Sequence, residues 1–196
     1  AAPLLLRASS SQSTINVLAM TIFISSMFLL YTASTTYHSL NLSAAVIKVF
    51  RKIDHMMIFV LIAGSYTPIC LIVLKGSTGY IMLAVIWSLA LIGILIKAFW
   101  ITCPKWFSSL IYIGMGWTCI FAFVPLMNAL SLSALAWLFA GGVAYTTGGV
   151  IYALKLPIFN AKHSAFGSHE IFHLFVLAGS TCHFIFMYFY VAAMTV

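Results

Sequence analysis

Charged side chains are scarce in this sequence, and acidic ones are almost absent. Only 6% of the 196 residues are Asp, Glu, Lys or Arg, whereas 64% are hydrophobic. A soluble domain carries roughly a quarter charged residues, so this chain has too little charge to coat a water-facing surface. We therefore expect the bilayer to be the solvent for most of the chain, which would form one integral membrane domain over residues 1–196.

Signatures of several other protein classes are also missing. The net charge of +7 does not indicate nucleic-acid binding, because the basic residues stand singly or in a short cluster between apolar segments. They are more typical of topology determinants and lipid-headgroup contacts. The first ten residues, AAPLLLRASS, lack the basic region of a signal peptide and are typical of the tail of an apolar segment. No C-x-x-C pair occurs among the four cysteines, which we expect to be small buried thiols: Cys70, Cys103, Cys119 and Cys182.

Six segments are long and apolar enough to cross a membrane. A spanning helix needs about 20 apolar residues, and a lone strand would leave its backbone groups unpaired in lipid. Pro68 predicts a kink, and the pairs Gly141-Gly142 and Gly148-Gly149 predict close helix contacts. The expected helices cover, approximately, residues 15–38, 53–74, 79–101, 107–127, 133–154 and 168–193.

The lysines and arginines predict the orientation of these spans. Only Arg7 and Lys75 lie on the side that also holds the C-terminus. Because cytoplasmic loops are enriched in Lys and Arg, we expect the opposite, more basic side to be cytoplasmic and the C-terminus to be outside. The connections after spans one, three and five share the basic side and hold the other seven: Lys48, Arg51, Lys52, Lys97, Lys105, Lys155 and Lys162.

Both acids of the chain, Asp54 and Glu170, stand beside a histidine at the end of a span. Ionisable groups near a bilayer are costly, so they are the first candidates for a functional site. His38 ends span one at the cytoplasmic side, and Asp54 begins span two there. His169 and His173 begin the last span from the same side. An orientation derived only from Lys and Arg thus brings these residues to one depth.

The spacing of His169 and His173 indicates a metal site. Residues four apart lie on the same face of a helix, so the two imidazoles can bind one Zn²⁺, with His38 as a third ligand from another helix. Three protein ligands plus water are typical of a catalytic zinc site. Ser34 and Asp54 are candidates for orienting a ligand or the water. The alternative is that the three histidines only hydrogen-bond to backbone and headgroups.

Residues 169–173 also fit the H-E-x-x-H pattern of zinc proteases, in which the glutamate is the general base. Those enzymes take a third ligand from later in the chain, but no acid follows Glu170 and the one later histidine is His183. We expect His183 further into the membrane, off the face of the pair, either in an interhelical position or in the outer leaflet. The pattern is therefore weak evidence for proteolysis, and Glu170 is explained at least as well as a charge at a helix N-terminus.

Three motifs together resemble the hemolysin III family, the bacterial branch of the progestin and adiponectin receptor superfamily. They are STTYHSL at 34–40, RKIDHMMIFVLIAGSYTP at 51–68 and HEIFHLFVLAGS at 169–180. The resemblance implies an all-α, seven-helix transmembrane bundle of the adiponectin-receptor type in a bacterial plasma membrane. Six full spans are visible, so the first helix is expected to be missing or truncated.

The resemblance also implies roles for individual residues. Zinc would be held by His38, His169 and His173, near the cytoplasmic face, with Ser34 and Asp54 beside it. The superfamily's ceramidase-like members imply a zinc-dependent hydrolase of lipid amides or esters. The implied partners are membrane lipids, with an acyl chain in the bundle interior. Glu170 lies at a position that the family does not hold constant.

Two other functions stay open at this point. One is a non-enzymatic regulator or receptor that senses the lipid state of the membrane, in which zinc only ties helices together. The other is a pore-forming cytolysin, which the family name implies. The sequence favours the cytolysin least, because a secreted pore-former begins as a soluble protein and this chain is apolar throughout.

Overall fold

The computed structural model describes residues 1–11, 13–40, 43–100, 102–154 and 167–194, and every regular element in these ranges is a helix. Six helical segments have the length and composition to cross a membrane, which confirms the predicted number of spans. They are Thr14–Ser39, Ala44–Leu74, Gly76–Phe99, Lys105–Ala129, Leu132–Leu154 and Ser168–Val191. The chain is therefore a multi-pass membrane protein, and the additional first helix stays a prediction.

The α-helices are numbered in chain order, and three spans contain a turn of another helix type. A π-helix, Ile69–Leu74, continues α3, and a second, Met187–Val191, continues α8. A 3₁₀ segment, Trp117–Ala122, separates α5 from α6 within one span. The α-helices are α1 Ala2–Ser9, α2 Thr14–Ser39, α3 Ala44–Pro68, α4 Gly76–Phe99, α5 Lys105–Gly116, α6 Phe123–Ala129, α7 Leu132–Leu154 and α8 Ser168–Phe186.

The second span begins at Ala44, not at residue 53 as the sequence predicted. Hydropathy alone excludes this part of the helix because it carries three cations. The backbone still favours a helix, because two alanines open the segment and apolar residues recur every three or four positions. Ser43 precedes it in an extended conformation, which is the geometry of an N-cap position.

A distortion is present where Pro68 predicted one. The α-helix ends at Pro68 and continues as the π-helix. Proline lacks a backbone N–H and its ring crowds the carbonyl four residues earlier, so the α-helical hydrogen-bond register cannot continue through it. Lys75 and Gly76 then take positive φ values of 48° and 59°, at the junction between this span and α4, which begins at Gly76.

Contacts divide the chain into two compact units, and the single domain expected over residues 1–196 stays a prediction. The first unit is Ala1–Thr102 with Met187–Val196. Phe23 of α2 and Phe59 of α3 are among its largest fully buried side chains. The side-chain amide of Asn16 donates to the carbonyls of Ala192 and Met194, at 3.3 and 2.6 Å, which ties the start of α2 to the end of the last span.

The second unit, Cys103–Phe186, contains α5 to α8. Its glycines confirm the predicted close contacts, with one member of each pair facing α8. A side chain at Gly141 would meet His183, and one at Gly148 would meet Phe175. The second glycine of each pair has different surroundings. Gly142 has open space within 4 Å, and Gly149 lies against Ile113 of α5.

We expect Gly79→Ala to destabilise the protein. A methyl group at Gly79 would overlap the backbone carbonyl oxygen of Cys70, which cannot rotate away as a side chain would. The free energy of unfolding should fall by about 1–3 kcal/mol. Thermal unfolding in detergent, followed by circular dichroism, measures the effect. Gly142→Ala is the control, because the added methyl meets nothing. A melting temperature of Gly79→Ala at or above that of wild type would contradict the expected overlap.

Candidate metal centre

The start of α8 holds the two histidines that the sequence predicted as metal ligands. Their Nε2 atoms are 3.2 Å apart, with the ring planes at 85°. Two imidazole nitrogens that bind one tetrahedral zinc at the usual bond length are about 3.3 Å apart. His169 is exposed and His173 is half-buried, so a metal ion can reach both. The pair thus has the spacing of two zinc ligands, and without metal one ring can donate to the other.

Aromatic rings behind the pair limit how its imidazoles can rotate. Phe172 lies one position before His173, with ring centroids 5.3 Å apart, and it also stacks on His169. Tyr152 of α7 supports Phe172 at a centroid distance of 4.9 Å, and the ammonium group of Lys105 lies 4.3 Å from the Tyr152 ring. The histidine pair of the second unit is therefore supported by aromatic rings.

Glu170 serves the helix N-terminus. Its Oε2 accepts a hydrogen bond from the backbone N–H of Gly167, at 2.7 Å. Gly167 immediately precedes α8 and Glu170 is the third residue of that helix, so this is half of a capping box. The carboxylate also lies at the positive end of the helix dipole. The geometry agrees with the alternative to the protease interpretation, in which Glu170 is a helix-terminal charge.

In the first unit, Ser34 and Asp54 lie together. The Ser34 hydroxyl of α2 forms a hydrogen bond with the carboxylate of Asp54, on the neighbouring α3. Asp54 is buried, at 9% exposure, and its charge interacts with His38. On the other side, its Oδ2 is 3.5 Å from Nδ1 of His55. A buried carboxylate held by a hydroxyl is an oriented proton acceptor.

His38 lies in the last turn of α2, where the sequence placed it. Its ring is exposed and meets that of Tyr37 edge-on, with centroids 4.5 Å apart. His38 and Ser34 are one turn apart on α2, so the helix that positions the imidazole also positions the hydroxyl beside Asp54. The first unit thus presents an imidazole, a hydroxyl and a carboxylate from two adjacent helices.

His183 has a separate, interhelical position, as expected. Its Nε2 is 3.3 Å from the carbonyl oxygen of Leu138, and its ring meets that of Tyr145 at 5.3 Å. Tyr145 also hydrogen-bonds to Ser180, with the two oxygens 2.7 Å apart. The sequence did not single out Tyr145. The glycine opposite His183, at position 141, was the available signal, because it leaves room on α7 for a ring.

Comparisons with known proteins match nearly the whole chain. A model of a family described as haemolysin-III related matches residues 2–184. The chain is 41% identical to "Hemolysin-3" of Bacillus cereus over 188 residues, which are 96% of this chain and 82% of that protein. It is 39% identical to "Hemolysin-3 homolog" of Bacillus subtilis, over 95% of this chain and 84% of that protein. A shorter match, at 37% identity over 60 residues, is to "Adiponectin receptor protein" of Drosophila melanogaster, covering 29% of this chain and 14% of that protein.

The capping hydrogen bond predicts how substitutions at Glu170 behave. Glu170→Ala should lower the free energy of unfolding by about 0.5–2 kcal/mol, because it leaves the Gly167 N–H without this acceptor. Glu170→Gln keeps an acceptor oxygen, so its free energy of unfolding should fall by less. Thermal unfolding of both variants, with metal content as a second measurement, checks this. Loss of bound metal in Glu170→Gln would mean that the carboxylate contributes to the metal centre and not only to the helix.

Proposed function

Because the chain belongs to the haemolysin-III-related family, we propose that it is a zinc-dependent membrane hydrolase of lipid amides or esters. The observation that carries the proposal is the pair of histidine nitrogens at the start of α8, 3.2 Å apart. The proposal includes the location predicted from the sequence, a bacterial plasma membrane with the zinc site near the cytoplasmic face and the C-terminus outside.

The proposed zinc ligands are His38, His169 and His173. Three imidazole nitrogens suit Zn²⁺ and leave a fourth position for water or substrate, as in catalytic zinc sites. Support for His38 as the third ligand is the orientation derived from Lys and Arg, which brings His38 at the end of span one and the pair at the start of span six to one side of the membrane. The exposure of His38 and His169 fits a site that a substrate reaches.

The chemistry divides between the metal and the chain. Zn²⁺ at this site would act as a Lewis acid towards a carbonyl and would lower the pKa of a bound water to about 7. Asp54 accepts the proton of the attacking water, and its burial limits competing solvent. The hydrogen bond from Ser34 holds the carboxylate in one orientation. Water would add to the carbonyl carbon, the bond from that carbon to the amine or alcohol would break, and the proton would pass from Asp54 to this leaving group. The apolar helices would accommodate the acyl chain.

Metal content tests the ligand assignment directly. Wild type, purified without added metal and measured by mass spectrometry of the elements, should contain about one zinc per chain, as a three-histidine site binds one ion. His38→Ala, His169→Ala and His173→Ala should each lose most of it. His163→Ala is the control, a histidine outside the described residues that the sequence assigns to a connecting segment. Wild type without zinc, or equal loss in the control, would contradict the assignment.

The two acids of the chain provide a matched test of the hydrolase. With fluorogenic lipid amides and esters, Asp54→Asn should lower kcat by about 10²–10⁴-fold, the usual contribution of a general base, and retain its zinc. Glu170→Gln removes the same charge and should leave kcat near that of wild type. Ser34→Ala should lower kcat roughly tenfold, which corresponds to the free energy of a hydrogen bond to a charged group.

Each outcome of this assay has a definite meaning. Equal loss in Asp54→Asn and Glu170→Gln would contradict the role of Asp54 as the proton acceptor. Zinc-loaded wild type that hydrolyses no member of the panel would instead favour a non-enzymatic regulator in which the metal ties helices together.

A further inference from the structure

The first three turns of α3 form a helix with two unlike faces. The repeat of 3.6 residues per turn puts positions that are three and four apart on the same side. One side, which we name the basic face, carries Lys48, Arg51, Lys52 and His55. The opposite side, named the apolar stripe, carries Val46, Val49, Phe50 and Ile53. A basic, amphipathic helix of this kind is typical of a segment that lies at a membrane surface.

The apolar stripe is open to its surroundings within this structure. Val46, Val49 and Ile53 are 39%, 55% and 37% exposed. Side chains of this kind are stable next to hydrocarbon and unfavourable in water. Lys48 and Arg51 of the basic face are also exposed. The segment thus offers apolar side chains to the edge of the hydrocarbon layer and cations to the polar layer beside it.

A hydrogen bond from Lys52 holds this segment beside the last turn of α4. The Lys52 ammonium group donates to the carbonyl of Ala98, at 2.6 Å, in the last turn of α4, where a cation is favoured by the helix dipole. Phe99 and Trp100 follow directly and are 87% and 49% exposed. Exposed aromatic residues at the end of a span are typical of the membrane–water interface. The basic face therefore lies at the level of lipid headgroups.

The start of α3 also has an excess of positive charge. Its first turn holds no acidic residue, and Ser43 makes no side-chain capping bond among the described residues. Asp54, the one acid of the segment, is buried and engaged with Ser34 of α2. Lys48 and Arg51 follow in the second turn, where both are exposed. This arrangement is complementary to an anion outside the protein.

We propose that the basic face binds the headgroups of anionic phospholipids, with Arg51 and Lys48 contacting lipid phosphate. Arg51 can hold a phosphate through two parallel N–H groups, and Lys48 adds a point charge one turn away. The apolar stripe contacts the acyl chains of the same lipids, which distinguishes a lipid from a soluble phosphate. The surface is made within the first unit alone, so the proposal does not depend on zinc or on hydrolysis.

Lipid enrichment around the full chain tests this proposal. The protein is reconstituted in nanodiscs of phosphatidylcholine and phosphatidylglycerol, extracted in neutral detergent, and its retained lipids are counted by native mass spectrometry. Wild type should retain phosphatidylglycerol above its share of the bilayer. Lys48→Gln and Arg51→Gln should each reduce the enrichment about fivefold, which corresponds to about 1 kcal/mol per basic residue near an anionic surface. High salt should reduce the wild-type enrichment in the same way.

Lys75→Gln is the matched control. Lys75 is also an exposed lysine of the first unit, but it lies at the start of α4, away from Ala98 at the other end of that helix. Circular dichroism confirms that each variant is folded. Equal enrichment in wild type, Lys48→Gln and Arg51→Gln would overturn the proposal. Displacement of the lipid by inorganic phosphate at equal concentration would overturn it as well, since the surface would then be a site for soluble anions.

Discussion

Hydrocarbon offers no hydrogen-bond partners, and most features of this protein follow from that constraint. The spans are helical because a helix pairs its own backbone groups. Polar side chains inside the spans obey the same rule and donate to the carbonyl four residues earlier on their own helix. The hydroxyls that do so include those of Thr21, Ser65, Thr67, Thr147 and Thr181. Ionisable groups therefore collect near the ends of the apolar stretches. Asp54 lies where the apolar part of α3 begins, and His169 lies in the first turn of α8.

Length and hydropathy were sufficient to predict six spans, because a membrane helix must be apolar over its whole crossing. The same measure failed at the start of α3, where Lys48 and Arg51 lower the mean hydropathy although the helical periodicity continues through them. The distortion at Pro68 followed from the missing N–H of proline. Its form did not, because proline accounts for the end of the α-helix but does not determine that a π-helix follows.

In the candidate site, too, some features were predictable from the sequence and others were not. Four-residue spacing was enough to pair His169 with His173, since both lie on one helix. For Glu170 the sequence left two roles open, a charge at the helix N-terminus and the base of a zinc protease, because both place a glutamate at this position of the motif. The usual capping signature was absent, since Gly167 has no side chain to complete it. Ser34 and Asp54 lie on different helices, so only the topology could bring them together, and their hydrogen bond was not predictable.

Opposite charges are kept apart within the single segment that opens α3. Arg51 and Asp54 are three residues apart, a spacing at which a helix commonly forms an ion pair. Asp54 is instead buried against Ser34 of α2, while Arg51 is exposed on the basic face. A close pair would neutralise both groups and leave neither available to a ligand. Their separation leaves a carboxylate on the inner side of the helix and exposed cations on the outer side, so one short segment can serve both proposed roles.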